Sequence, residues 1–238
     1  TMNPNLLKYL LKNNGIEIEK NALDSGASSG VYVISNNQQR ILRVTKLKSF
    51  DKNKIEKEIY IWRLMGKYGI GPNIHSTFYN KKFLCIEMDR LDGIICQDSD
   101  IKNIINQIEE LNMRMIQLGY FHGDLNQWNI CYKNVAGQKR IYFVDFESTF
   151  SFLKLPFNIF KKRVKTESEL MIDDKYFSVV PTKEFINNFK NILKNSQGEY
   201  DKMLLAAKKN LDELKQSEMR KIQSRAELAI LRIMRKGY

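Results

Sequence analysis

Apolar positions recur along this chain with two different periods, and the switches between them lay out its elements. Leu6, Leu7, Leu10 and Leu11 fall at helical spacing, so residues 3–13 are expected to form a short amphipathic helix. Residues 16–18 read as a short extended piece. Asp24-Ser25-Gly26-Ala27-Ser28-Ser29-Gly30 follows, a run of small residues that lets backbone approach a ligand closely. Residues 31–35 and 40–47 read as strands joined by a turn at 36–39. A helix is expected over 54–65, burying Ile55, Ile59, Trp62 and Leu64 or Met65, and Gly69-Ile70-Gly71-Pro72 breaks it. Residues 73–79 and 82–88 look like two further strands. Strand, strand, helix, strand, strand is the order of a small mixed unit, a sheet carrying one helix.

Asp92-Gly93 marks a turn, and Asp100 is a candidate cap for a helix over 101–118 that Gly119 ends. Residues 130–132 and 141–144 are short apolar strands joined by a turn around Ala136-Gly137. The segment between that helix and that hairpin is therefore a loop held by regular structure on both sides. Residues 152–160 are apolar, and Lys161-Lys162-Arg163 is a basic knot. Thr182 opens a further helical pattern through Phe185, Ile186, Phe189, Ile192 and Leu193. From 198 to 234 the period is helical again, with a break near Asn210 or Ser217 and an inner stripe of Leu211, Leu214, Ile222, Ala226, Ala229 and Ile233. No internal repeat is visible.

At 238 residues the chain is long enough for one compact domain or two units sharing a cleft. Cys85, Cys96 and Cys131 are scattered, with no CxxC pair, which predicts reduced thiols in a cytosolic setting. Two histidines leave little basis for a zinc site. No apolar run reaches membrane-helix length and no signal-peptide pattern appears, so a cytoplasmic location is expected, in a host cell were the chain viral or a bacterial effector. The net charge of +12 is uneven: residues 1–150 carry 20 Lys/Arg and 16 Asp/Glu, residues 151–238 carry 19 and 11. That C-terminal excess is either a solvated face of basic helices or a surface for nucleic acid, an anionic membrane face or an acidic protein.

The candidate chemistry lies in His122-Gly123-Asp124-Leu125-Asn126-Gln127-Trp128-Asn129, read with Asp145-Phe146-Glu147. This is an acid, an amide and a second acid in the order used for magnesium-dependent phosphoryl transfer. One carboxylate must accept a hydroxyl proton. The amide and the other carboxylate must hold the metal.

These strings resemble the protein-kinase-like superfamily, and the resemblance runs from about Leu23 to Phe146. It implies an α+β, two-lobed fold: a small antiparallel-sheet lobe with one helix at 1–90, and a mainly helical lobe at 91–238. ATP and Mg²⁺ would bind in the cleft between them. Asp124 would be the catalytic base, Asn129 and Asp145 the magnesium ligands, and His122 a structural prop. Gly26, Ser28, Ser29 and Gly30 lie where the family has its phosphate-cradling glycine-rich loop. Arg43 stands at the place of the family's phosphate-binding lysine, with Lys46 as the alternative if the strand register differs. Ile41 would lie against adenine, and Glu58 would pair with Arg43. Met88, Asp89 and Leu91 fall in the segment that resembles the hinge.

Several residues depart from the family pattern. Gly123 replaces an arginine, Asn126 a lysine, and Glu147 the glycine after Asp-Phe. Glu147 would either cap the following segment or add a carboxylate near the metal. No Ala-Pro-Glu string follows. These departures resemble small atypical kinases, RIO and KEOPS-complex kinases or compact viral and bacterial-effector kinases. They imply an atypical serine/threonine kinase acting on a protein, with an acidic protein or nucleic acid engaging the basic C-terminal region. The alternatives are a small-molecule kinase of the aminoglycoside or choline type and a nucleotide-binding pseudokinase.

Overall fold

The computed structural model describes residues 4–25, 29–95, 101–125, 127–156 and 158–159, and helical residues at 198, 200–202, 204–213 and 216–217. Its first half is built on a five-stranded antiparallel sheet. β1 (Ile18–Ser25), β2 (Ser29–Ile34), β3 (Asn37–Lys46), β4 (Ile74–Tyr79) and β5 (Phe83–Asp89) take the order β1-β2-β3-β5-β4.

Both faces of this sheet are covered, and the two-residue period of its strands sorts side chains between the covers. Leu42 and Val44 of β3 join Phe83 and Cys85 of β5 on one face, against Leu7 and Leu11 of the helix α1 (Pro4–Asn13). Leu84, Ile86 and Met88 of β5 point the other way, into the main core with Ile55, Trp62 and Met65 of the helix α2 (Lys52–Lys67). The Asp51 side chain accepts from the Lys54 N–H and caps α2. At its other end Gly66 lies so close to the Pro72 carbonyl that an added Cβ would sit 2.5 Å from the oxygen.

The second half begins with the two-residue strand β6 (Gly93–Ile94) and the helix α3 (Ile101–Gln117), which buries Ile104, Ile108, Leu111 and Met115 at helical spacing. β7 (Tyr120–Phe121) pairs with β10 (Phe150–Ser151). The hairpin of β8 (Ile130–Val135) and β9 (Gln138–Phe143) turns on Ala136 and Gly137, both left-handed, with φ 51° and 80°. Tyr200 is buried and its hydroxyl donates to the carbonyls of Phe152 and Leu155, tying the helical residues near the C-terminus to the core.

The described part is thus α+β, as expected, with two corrections. Only 16–18 was read as extended before the small-residue run. β1 instead continues to Ser25, and α1 adds a second helix to the sheet. The pairing of β1 with β2 shifts register between Ile18 and Ala22 and again before Asp24, so no alternation survives to mark the strand. Near the C-terminus, residues 204–213 form a continuous helix, so no break falls at Asn210. The expected basic knot at 161–163, the helix from Thr182, Cys96 and the stripe beyond 217 lie outside the described residues, as do Gly26, Ser28, Asp100 and Asn126. Among the described residues no helix is long and apolar enough to cross a membrane.

Candidate active site

The loop after α3 is shaped mainly by backbone. Gly119 ends the helix at φ 81°, and Gly123 repeats that conformation. Only glycine fits at 123, because an added Cβ would sit 2.3 Å from the Ser148 carbonyl oxygen. The departure from arginine therefore has a steric reason that the sequence reading missed. His122 is fully buried, edge-on to Phe143 and beside Phe146. Burial pushes its pKa down to about 4, so at neutral pH the ring is uncharged, and Nε2 donates to the Val144 carbonyl at 2.9 Å. The Thr149 hydroxyl donates to the His122 carbonyl at 3.1 Å, locking the loop to the segment after Asp145.

Asp124 and Asn129 sit on this lock. The Asn129 amide donates to the Asp124 carbonyl at 2.7 Å and to the Asp124 carboxylate at 3.2 Å. Its own Oδ1 takes no hydrogen bond among the described residues, leaving an acceptor at the site. Asp145 adopts the left-handed conformation, φ 61° and ψ 64°, ahead of a 3₁₀ turn at Phe146–Ser148. Such a conformation costs a non-glycine residue on the order of 1 kcal/mol or more and tends to mark functional positions. Phe146 is buried, T-shaped against Trp62 of α2 at 4.8 Å.

Arg43 enters from β3. Nη2 donates to Asp145 Oδ1 at 3.0 Å and to Glu147 Oε1 at 3.1 Å, and Nη1 donates to Thr45 Oγ1 at 3.0 Å. The guanidinium also lies over the Trp62 ring, 5.5 Å from its centre. Glu58 of α2 places its buried Oε1 3.6 Å from Nη1, an ion pair without a hydrogen bond. Burial raises its pKa to about 7, against the pull of Arg43, while Glu147 and Asp145 raise it further. Burial likewise holds the Asp145 carboxyl above its ordinary range, with Arg43 opposing and Glu147 and Asp124 adding. Lys46, the alternative candidate, is exposed at the end of β3, away from these acids.

Three acids, Asp145, Glu147 and Glu58, thus share one guanidinium, and Asp124 adds its field to Asp145; such a surplus favours added positive charge. Among the described residues no group of three or more acid, histidine or cysteine side chains is gathered closely enough to hold a metal alone. Mg²⁺ takes one or two carboxylates and completes its shell with phosphate and water. Asp145 and the Asn129 Oδ1 are the fitting donors.

The other expected residues border the same region. Ser29 and Gly30 belong to strand β2 rather than to a loop, opposite Thr45 and Val44, because backbone pairing with β3 begins there. An added Cβ at Gly30 would meet the Tyr32 ring at 3.0 Å. Ile41 and the buried Met88 pair across β3 and β5. The Asp89 side chain is already engaged by Asn73 at 2.9 Å and His75 at 2.6 Å. Burial alone would raise its pKa, but those hydrogen bonds hold it below the ordinary range. The N–H groups of Arg90 and Asp92 donate to Gln39 and Tyr132, while that of Leu91 has no partner among the described residues. The reading also missed Thr45, Trp62 and Thr149. Thr45 was discoverable, since it lies two residues from Arg43 on the same strand face.

No protein-family model and no curated protein matches the sequence. Among solved structures the chain is similar to the Rio2 kinase of Chaetomium thermophilum, solved as an ADP/Mg²⁺–phosphoaspartate complex. The TM-score is 0.52 over 89% of this chain and 75% of that one, at 15% identity. The chain thus shares the protein-kinase-like fold of that structure.

Proposed function

We propose that the chain is an ATP- and Mg²⁺-dependent phosphotransferase, an atypical serine/threonine protein kinase. Residues 1–90 and 91–238 would be its two lobes. The observation that carries the reading is the convergence of Arg43 on Asp145, beside an Asn129 amide that holds Asp124. Bound Mg-ATP would supply the transferable phosphoryl group and the cation charge that neutralises it.

Asp124 would orient an acceptor hydroxyl and take its proton. The Asn129 hydrogen bond to its carboxylate orients that group. Asn129 Oδ1 and Asp145 would hold Mg²⁺, and Arg43 would grip phosphate with its planar fork of donors. Ile41, Met88 and Leu91 would line the adenine, with the unpaired Leu91 N–H as its hydrogen-bond donor. Gly26, Ser28, Ser29 and Gly30 would face the phosphates, Glu58 would add charge to Arg43, and the Asp89 side chain would serve the hinge rather than the ligand. The basic excess of 151–238 supports an acidic protein or nucleic-acid partner rather than a cationic metabolite. The scattered cysteines, with no CxxC pair, fit a reducing, cytoplasmic setting.

The test is incubation of the full chain with Mg²⁺ and labelled ATP, alone and with acidic and basic proteins, with Asp145→Ala as control. Label should appear on protein and vanish in the variant. Nucleotide binding without any transfer would sink the enzyme reading in favour of a pseudokinase. Transfer only to a small cationic alcohol would replace the protein acceptor.

A further inference from the structure

We propose that Glu147 is the positioning residue for Arg43, and that Arg43 and Glu147 form one matched departure from the kinase-like pattern. The inference rests on the phosphotransfer reading and names the acid that sets the phosphate-binding cation. In the pattern the chain resembles, a lysine occupies the first position, a glycine the second, and the lysine's partner is the helix glutamate. Here both positions differ, 104 residues apart in sequence, and the two side chains meet at 3.1 Å.

Each substitution accounts for the other. A guanidinium is a planar fork and can be held from several sides at once, whereas an ammonium is a compact point charge. Arg43 uses the fork on two nitrogens: Nη1 is fixed to Thr45, and Nη2 is divided between Asp145 and Glu147. Glycine at 147 would leave Nη2 with Asp145 alone, and Asp145 is the carboxylate reserved for the metal. A second acid lets Arg43 stay in place when Asp145 turns to other work. Glu58 does not supply that hold. It is 3.6 Å from Nη1, and its Oε1 has no hydrogen bond.

The turn carrying Glu147 is itself anchored. Its neighbour Phe146 is buried against Trp62 and His122, and Arg43 lies over the same Trp62 ring. The Glu147 side chain is 42% exposed, so it reaches Arg43 from the solvent side and can be changed without opening the core.

The experiment measures Mg-ATP affinity of the full chain by calorimetry, for the wild type, Glu147→Gln, Glu147→Asp, Glu58→Gln, Arg43→Lys, Glu147→Gly and the Arg43→Lys/Glu147→Gly double variant. Glu147→Gln should weaken binding roughly tenfold, and Glu147→Asp should stay within about threefold of wild type. Glu58→Gln should cost less than Glu147→Gln. The double variant, which restores the lysine–glycine combination, should bind about fivefold or more tightly than the product of the two single losses implies. Additive single losses, or a Glu58→Gln loss equal to or larger than that of Glu147→Gln, would overturn the pairing while leaving the phosphotransfer reading intact. A folded wild-type chain that binds no Mg-ATP would overturn that reading, and the positioning role with it.

Discussion

The loop at 119–150 and the β3–α2 pair hold one site by different means. In the loop, backbone does the holding. Gly119, Gly123 and Asp145 are left-handed, the Val144 N–H donates to the Asn129 carbonyl, and His122 donates to the Val144 carbonyl. On the β3–α2 side, charged side chains do it: Arg43 binds Thr45, Asp145 and Glu147, with Glu58 just beyond hydrogen-bond reach. A backbone conformation admits few residue types, so the loop keeps its motif. A charge needs only some opposite charge within reach, so the β3–α2 side can change partners.

Phe146 joins the two regions, and removing it should do the most damage. Its ring touches Trp62 on one side and His122 on the other, and Gly71 packs on its edge. Phe146→Ala should cost about 3–5 kcal/mol of stability, the usual price of a buried aromatic. Chemical denaturation would measure it. A cost near 1 kcal/mol or less, the level of an ordinary surface change, would mean that the two regions are held together elsewhere.

Gly123→Ala tests the backbone half. The new methyl must enter a left-handed position and meet the Ser148 carbonyl at 2.3 Å. Strain and crowding together should cost about 2–4 kcal/mol, and label transfer should fall with it. A stable, active Gly123→Ala variant would contradict the claim that the loop is specified by conformation.

Glu58→Gln tests the charged half through pH. The folded-state pKa of Glu58 is about 7 against an ordinary 4.5, so between those values the folded chain holds a proton that the unfolded chain releases. Its contribution to stability is full below about 4.5 and is lost as pH rises through about 7. His122 runs the other way: its pKa falls from 6.5 to about 4, so its contribution is full above 6.5 and is lost on acidification towards 4. The two regions therefore pull stability in opposite directions between pH 5 and 7, as an order-of-magnitude window taken from those shifts. Glu58→Gln should remove the falling slope that Glu58 contributes, and should be about 2–3 kcal/mol more stable than wild type at about pH 8. An unchanged difference between about pH 5 and pH 8 would show that Glu58 is not the buried, under-bonded acid described.

What was legible in the sequence follows the same division. The motif Asp124, Asn129 and Asp145 was readable because its spacing is dictated by a short loop and a hairpin, and α2, α3, β8 and β9 were readable because strong periodicity marks them. β1 was not readable, since its bulged pairing breaks alternation and its Leu23 faces solvent. Glu147 was not assigned to Arg43, because a charge pair across 104 residues leaves no local pattern. Gly123 was read as a lost arginine, although its constraint is the Ser148 carbonyl, a contact that only the folded chain creates.

The smallest expected effect decides the register on which the β3–α2 side depends. Arg43 and Lys46 are three residues apart, so on one strand they point to opposite faces. Leu42 and Val44 fill the cluster under α1, which sends Arg43 and Thr45 towards α2 and leaves Lys46 exposed at the strand end. Lys46→Ala should therefore keep Mg-ATP affinity within about twofold and stability within about 0.5 kcal/mol, as for other surface sites. Arg43→Ala should lose affinity by roughly a hundredfold, about 2.7 kcal/mol. If Lys46→Ala were the more harmful, β3 would have to be shifted by three residues to bring Lys46 to the place of Arg43. That odd shift would turn Leu42 and Val44 away from α1 and put Arg43 under it, because the side-chain period of a strand is two. The apolar contacts of α1 would then be lost as well. The same comparison of two lysine-position candidates therefore tests the placement of α1 on the sheet, through residues that touch no ligand.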